Sequence, residues 1–186
     1  MHIAIISSSV RTGRNSHRVS LFFKKFVEEQ KLATTEIIDL LQYHFPIFDE
    51  RLSNIKEPSA QMLEFAGKIK SADGIIIVTP EYNGGYPASL KNVIDLLYPE
   101  WKRKPIALAT VSDGPYGGTQ VMTSLLFTLW KIGSWVVPAM YRVSKVHEAY
   151  DENGNAVDSK IPKFAKAFLD ELMWCMEAKR KMAENL

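Results

Sequence analysis

The stretch Thr79-Pro80-Glu81-Tyr82-Asn83-Gly84-Gly85-Tyr86-Pro87-Ala88-Ser89-Leu90-Lys91-Asn92 follows the unbroken apolar run Ile75-Ile76-Ile77-Val78 and leads into Val93-Ile94-Asp95-Leu96-Leu97. A run this short and this rich in β-branched residues reads as a strand buried on both faces, the signature of a parallel sheet. Beyond Pro87 the apolar positions Leu90, Val93, Ile94 and Leu97 recur at helical spacing, and proline is tolerated in a first turn. A Pro/Gly-rich loop therefore closes a central strand and opens a helix, the place where open α/β sheets bind ligands. Gly84 and Gly85 let another molecule approach the backbone, and Tyr82 and Tyr86 offer flat surfaces to an aromatic ring.

Working outward, Ile3-Ala4-Ile5-Ile6 is a second fully apolar strand. A polar loop follows over residues 7–15, and Ser16 is the expected N-cap of a helix with apolar positions Val19, Phe22, Phe23, Phe26 and Val27. Thr35-Glu36-Ile37-Ile38-Asp39-Leu40 reads as a more polar strand; residues 49–58 are a polar connection, and Met62, Phe65, Ala66 and Ile69 outline a helix. Pro105-Ile106-Ala107-Leu108-Ala109-Thr110-Val111 is a further buried strand, followed by the turn Asp113-Gly114-Pro115-Tyr116-Gly117-Gly118 and a helix over Thr119–Lys131. Trp135-Val136-Val137-Pro138-Ala139-Met140-Tyr141 is the last strand, and Phe164, Phe168, Leu169, Leu172, Met173 and Met176 mark a closing helix.

Five strands alternating with about five helices predict a three-layer α/β/α fold, a doubly wound parallel five-stranded sheet with right-handed crossovers. Glu36 and Asp39 send the second strand to one edge, and Pro138 sends the fifth to the other. The resulting order is 2-1-3-4-5, the flavodoxin-like arrangement, with its switch point between strands one and three. The 7–15 and 80–87 loops flank that point.

At 186 residues the chain is expected to form one domain over residues 1–186, with 46% hydrophobic and 24% charged residues as in ordinary soluble proteins. No apolar stretch approaches the roughly 18 residues of a membrane span, and the first strand starts too early for a signal peptide. The single cysteine, Cys175, lies in a helical apolar pattern and is expected to be a buried, inert thiol in a reducing cytoplasm. A net charge of +2 with dispersed charges gives no footprint for nucleic acid, and Lys179-Arg180-Lys181 reads as a solvated helix end.

The loop Ser7-Ser8-Ser9-Val10-Arg11-Thr12-Gly13-Arg14-Asn15-Ser16 has the chemistry of an anion site: N–H groups at a helix start, several hydroxyls and arginine suit a phosphate monoester. It is neither a Walker A loop nor a dinucleotide fingerprint, and a polar loop whose serines cap backbone groups is the alternative reading. His2, His17, His44 and His147 lack metal-ligand spacing, and there is no Gly-x-Ser-x-Gly elbow. Phosphate donors, aromatics and glycines without a catalytic triad suggest that a cofactor carries the chemistry.

Thr79-Pro80-Glu81-Tyr82-Asn83-Gly84 with Leu90-Lys91-Asn92-Val93-Ile94-Asp95 resembles the signature of the NADPH-dependent FMN reductase family. Ser9-Val10-Arg11 with Ser16 resembles its phosphate loop, and Ser112-Asp113-Gly114 with Gly117-Gly118 its third flavin loop; Ser8 stands where the family often has glycine. The resemblance implies that Ser9, Arg11 and Ser16 hold the FMN phosphate, with Arg14, His17 and Arg18 as auxiliaries. It implies that Pro80, Glu81, Tyr82, Asn83 and Gly84 border the isoalloxazine, and that Ser112, Gly114, Gly117 and Gly118 line its other side. The implied reaction is hydride transfer from NADPH or NADH to the flavin, then electron release to a small acceptor: free flavin, a quinone, an azo compound or a metal oxyanion. A carboxylate facing the reduced ring would oppose it, so the Glu81 side chain is expected to point to solvent or a cation in a structural role. Tyr82 either stacks on the ring or covers the loop, and Asn83 is suited to positive φ. The alternative function is a flavodoxin-like FMN-binding electron carrier, against which the absence of an acidic balance speaks; a regulatory module without turnover finds no positive sign.

In the helix after Gly118, Val121, Leu125, Leu129 and Ile132 form one apolar stripe and Met122, Leu126 and Trp130 another. A helix apolar on two sides is buried on two sides. The second stripe is covered by a second subunit or by the chain's own Trp101 or Trp135. The family resemblance also points to a homodimer, with a tetramer as a further possibility; the charge and hydropathy readings above leave neither nucleic acid nor membrane as an expected partner.

Overall fold

The computed structural model describes residues 1–184. β1 (His2–Ser7), β2 (Thr34–Asp39), β3 (Gly74–Pro80), β4 (Pro105–Val111) and β5 (Trp135–Val143) form one parallel sheet in the order β2-β1-β3-β4-β5. The flavodoxin-like arrangement read from strand polarity is the one observed. The helices are α1 (Ser16–Glu29), α2 (Ala60–Ser71), α3 (Ala88–Leu96), α4 (Thr119–Lys131), α5 (Val146–Ala149) and α6 (Ile161–Glu184).

The apolar strands feed two cores because successive side chains point to opposite faces. Ile3, Ile5, Ile76, Val78, Ala107 and Ala109 pack against α1 and α6. Ala4, Ile6, Ile75, Ile77, Ile106 and Leu108 pack against α2, α3 and α4. All twelve are buried, as a sheet covered on both sides requires. At the β5 edge the register shifts between Ile106 and Leu108, whose partners are Val136 and Met140. Pro138 falls inside that irregularity, where its missing N–H removes no ladder bond.

Several local expectations change. Asn15, not Ser16, occupies the cap position of α1; its backbone is already helical (φ −87°, ψ −23°) and its side chain makes no bond to the helix. Ser16 is thus the first helical residue, and its hydroxyl is not used as a cap. The 49–58 connection contains a short 3-10 turn, Leu52–Asn54. β5 continues past Tyr141 to Val143, and α5 has no counterpart in the sequence reading because four residues are too few for a periodic signal. On α6, Phe164 is exposed while Phe168, Leu169, Leu172, Cys175 and Met176 are buried. On α4, Val121, Met122, Leu125 and Leu129 are buried, but Trp130 is 67% exposed and Phe127 65%. Trp101 is buried in the core on the α2, α3 and α4 side, bonding the Ile94 carbonyl through its Nε1, and so does not cover that outer face.

Candidate functional site

Three loops leave the carboxyl ends of β1, β3 and β4 and meet at the switch point. In the first, the Ser8 N–H donates to the Val78 carbonyl (3.1 Å), extending the β1–β3 ladder by one residue. Ser9 Oγ accepts from the Arg11 N–H (3.3 Å) and pairs with the Tyr82 hydroxyl (2.7 Å). Arg14 turns inward: its guanidinium donates to both carboxylate oxygens of Asp39 and to the Ser9 carbonyl (2.6 Å). Asp39 is buried at the end of β2, directly opposite Ser7 in the β1–β2 register, so the topology itself delivers this carboxylate beneath the loop. His17 lies under the loop too, its Nδ1 2.9 Å from Ser7 Oγ and 3.9 Å from Asp39. Arg18 donates to the Tyr150 carbonyl (3.0 Å) and sits 4.0 Å from Glu152, away from the loop. Arg11 is exposed, and neither its guanidinium nor the Ser16 hydroxyl has a partner among the described residues.

Burial lowers the pKa of His17, and the Arg14 charge lowers it further against the pull of Asp39. For Asp39, burial pushes the carboxyl upward, but the Arg14 hydrogen bonds, the Leu41 N–H and the nearby positive charge outweigh it and hold the group below the usual range.

The second loop begins with a tight turn. Tyr82 and Gly85 exchange both backbone hydrogen bonds (2.8 and 3.0 Å) around Asn83 and Gly84, whose φ angles are +52° and +79°. Two positive φ values in a two-residue connection demand Asn-Gly, which the sequence supplies. Glu81 donates its N–H to the Val111 carbonyl (3.3 Å) and accepts, at Oε2, from the N–H groups of Gln120 (2.9 Å) and Val121 (3.0 Å). The partner of its side chain is therefore the start of α4, not the solvent or cation expected from the sequence. The Tyr82 ring is held through its hydroxyl to Ser9, which ties the second loop to the first.

The third loop is braced from β5. Ser112 N–H donates to the Val143 carbonyl (2.9 Å), Lys145 N–H to the Gly114 carbonyl (3.1 Å) and Val146 N–H to the Ser112 carbonyl (3.2 Å). Gly117 and Gly118 both have positive φ, and a Cβ on either would lie 3.1 Å from Arg142 Cβ or 3.0 Å from Thr110 Cβ. They serve close backbone packing.

The three loops enclose a cleft of about 280 Å3. Ser9, Arg11, Arg14 and Ser16 of the first loop, Pro80, Glu81 and Tyr82 of the second, and Ser112 and Gly114 of the third line it. His17, Asn83, Gly84, Gly117 and Gly118, also expected to bind the cofactor, are not among the residues that line it. Gly13, Asn15, Val111, Asp113 and Val146 also line the cleft but were not singled out as binding residues. Four of these flank or lie within loops already recognised; Val146 comes from beyond β5 and carries no sequence signal. A larger groove of about 830 Å3 runs between β5 and α6, past Met140, Arg142 and Phe164. Asp158 and Ile161, at the start of α6, also line it, but none of residues 7–16, 80–87 or 112–118 does, so it lies off the switch point where the smaller cleft sits.

The donors gathered in that cleft have the chemistry to suit an anion. The first N–H groups of α1 have no intrahelical acceptor, and Arg11 and the Ser16 hydroxyl add uncommitted donors. These donors fit a phosphate monoester, and the same cleft is lined by residues 80–82 of the second loop and 112–114 of the third. Among the described residues, no three His, Cys, Asp or Glu side chains cluster as a metal site. Cys175 is buried, its thiol pKa raised by burial, in keeping with an inert role. Among the described residues, no helix is long and apolar enough to cross a membrane.

Residues 1–148 match the family described as NADPH-dependent FMN reductase. An NAD(P)H-dependent FMN reductase of Saccharomyces cerevisiae is 34% identical over 134 residues, 64% of this chain and 69% of that protein. A quinone reductase of Pseudomonas putida is 28% identical over 179 residues, covering 91% of each. Among solved structures, the flavoenzyme NAD(P)H:(acceptor) oxidoreductase FerB of Paracoccus denitrificans superimposes with a TM-score of 0.79 at 26% identity, over 95% of this chain and 97% of that one.

Proposed function

This chain belongs to the NADPH-dependent FMN reductase family, and we propose that the switch-point cleft is where it holds FMN. It is an FMN-dependent NAD(P)H oxidoreductase that passes electrons to small acceptors. In this reading the phosphate lies against Ser9, Arg11, Ser16 and the start of α1, and the ring lies between residues 80–82 and 112–114. Arg14 and His17 act from beneath, holding the loop in shape. Asn83, Gly84, Gly117 and Gly118 give the two ring-side loops their backbone geometry. When bound, FMN supplies the hydride-accepting and hydride-donating chemistry; the chain's task is to bind, orient and limit access of water.

The observation that carries this assignment is the convergence of uncommitted donors, Arg11, Ser16 and the α1 N–H groups, on one end of a slot formed by the other two loops. FMN titration of the purified protein followed by anaerobic addition of NADPH tests it. A tight yellow complex that bleaches on mixing supports the reading, whereas a protein that takes up no FMN removes it. The same titration with NADH reports the nicotinamide preference, and quinone, azo, flavin and metal-oxyanion acceptors can be ranked by the rate at which colour returns.

The outer face of α4 supports a homodimer. Phe127 and Trp130 stand exposed beside Leu126, Trp135 and Val136, around a depression of about 490 Å3. A second copy presenting the same face would bury these rings; pairing of such dimers into a tetramer would need another surface. Light scattering should give twice the chain mass at micromolar concentration, and Trp130→Glu should return the monomer. A buried, unpaired cysteine suits a reducing cytoplasm, which cell fractionation would check.

A further inference from the structure

Helix α4 begins without a cap of its own. Gly118 occupies the cap position with φ +72° and has no side chain, the first turn holds no acidic residue, and the Thr119 hydroxyl donates to the Tyr116 carbonyl instead. Its leading N–H groups would be orphans without an acceptor from another element. The missing acceptor arrives from the second loop: Glu81 Oε2 takes both the Gln120 and the Val121 N–H. A second bond joins the same pair of elements, and Gly84 marks how closely they approach. The Tyr86 hydroxyl pairs with Thr128 Oγ1 (2.8 Å), and a Cβ on Gly84 would lie 2.8 Å from Gln120 Oε1.

A carboxylate in this position has an electrostatic consequence. The start of a helix carries roughly +0.5 of an elementary charge and would favour an anion beside it. Glu81 opposes that with a full negative charge, leaving about −0.5 at a residue that lines the cleft. Reduced flavin carries negative charge near N1 and O2, so this arrangement disfavours it relative to the oxidised form.

Resting on the assignment of the cleft to FMN, we propose that Glu81 is a positioning residue that fixes the second loop against α4 and holds a negative charge beside the ring, keeping the bound flavin a strong reductant. Glu81→Gln separates the two effects, since an amide oxygen can accept the same two N–H groups without the charge. Glu81→Ala removes both.

Thermal melting of the apoprotein and the midpoint potential of the FMN-loaded protein are the readouts. Glu81→Gln should melt close to the unsubstituted chain, and its potential should rise by an amount equivalent to reduced FMN binding about tenfold tighter relative to oxidised FMN, or ~30 mV for a two-electron couple. Glu81→Ala should melt lower and bind oxidised FMN about tenfold more weakly. An unmoved potential in Glu81→Gln with FMN still bound would overturn the inference alone, as would equal losses of melting temperature in the two variants. Failure of the unsubstituted protein to take up FMN would overturn the cleft assignment and this inference with it.

Discussion

Arg11 and Arg14 lie three residues apart on the loop that follows β1, in surroundings that have little in common. Arg14 is largely buried, and its guanidinium bridges the Asp39 carboxylate and the Ser9 carbonyl. Arg11 is exposed at the rim of the cleft and has no side-chain partner among the described residues. One arginine shapes the loop from below, and the other is the one proposed above to meet the ligand. Two identical side chains on one loop therefore divide into a buried, paired one and an exposed, uncommitted one. What divides them is the position of one aspartate on a neighbouring strand.

The largest expected effect is on the buried arginine. Arg14→Ala leaves the Asp39 carboxylate buried without its partner, which costs on the order of 3–5 kcal/mol. For a chain of this size that lowers the melting temperature by roughly 10 °C, while Arg11→Ala should leave it unchanged. Calorimetry that found the two variants equally stable would erase the distinction.

Arg11→Ala should instead weaken FMN. Hydrogen bonds to charged groups contribute about 1.5–3 kcal/mol, so the affinity should fall roughly ten- to a hundredfold, read by fluorescence titration. Riboflavin lacks the phosphate and should bind as before. Equal loss for both ligands would reassign Arg11 to the structural class.

Tyr82→Phe probes the contact between the two classes, because it frees the Ser9 hydroxyl without touching either arginine. Loss of one neutral hydrogen bond, worth about 1 kcal/mol, should reduce FMN affinity about fivefold. A change larger than that of Arg11→Ala would mean that the loop is held chiefly by Tyr82.

The mildest test is acid. The folded pKa of His17 lies below the usual 6.5, so the unfolded chain binds more protons between the two values and stability falls as pH drops below about 6.5. The contribution of Asp39, whose folded pKa lies below 3.8, is lost only at much lower pH. Urea midpoints measured from pH 7.5 to 5 should therefore decline, and His17→Asn should flatten the decline. A slope unaffected by that substitution would place the acid sensitivity elsewhere.

Strand identity, strand order and the two loops flanking the switch point were legible from residues alone; the 112–118 turn was picked out as a ligand loop only by the family resemblance. Continuous β-branched runs can be satisfied only by burial on both faces, and the polar β2 and the proline of β5 have no place but the edges. The positive φ of Asn83 was legible for a similar reason, since few residue types tolerate it, although the tight turn it makes with Gly84 emerged only in the structure. These are properties of short segments, settled by sterics and solvation before any long-range contact forms. The fate of each polar side chain was not. Nothing near Arg14 in the chain announces Asp39, which arrives through the β1–β2 register. Nothing near α4 announces that its cap is Glu81, and nothing in the tail of β5 announces that Val146 will face the cleft. A long charged side chain takes whichever partner the finished topology places within reach, so its role was decided only once the sheet had brought distant loops together.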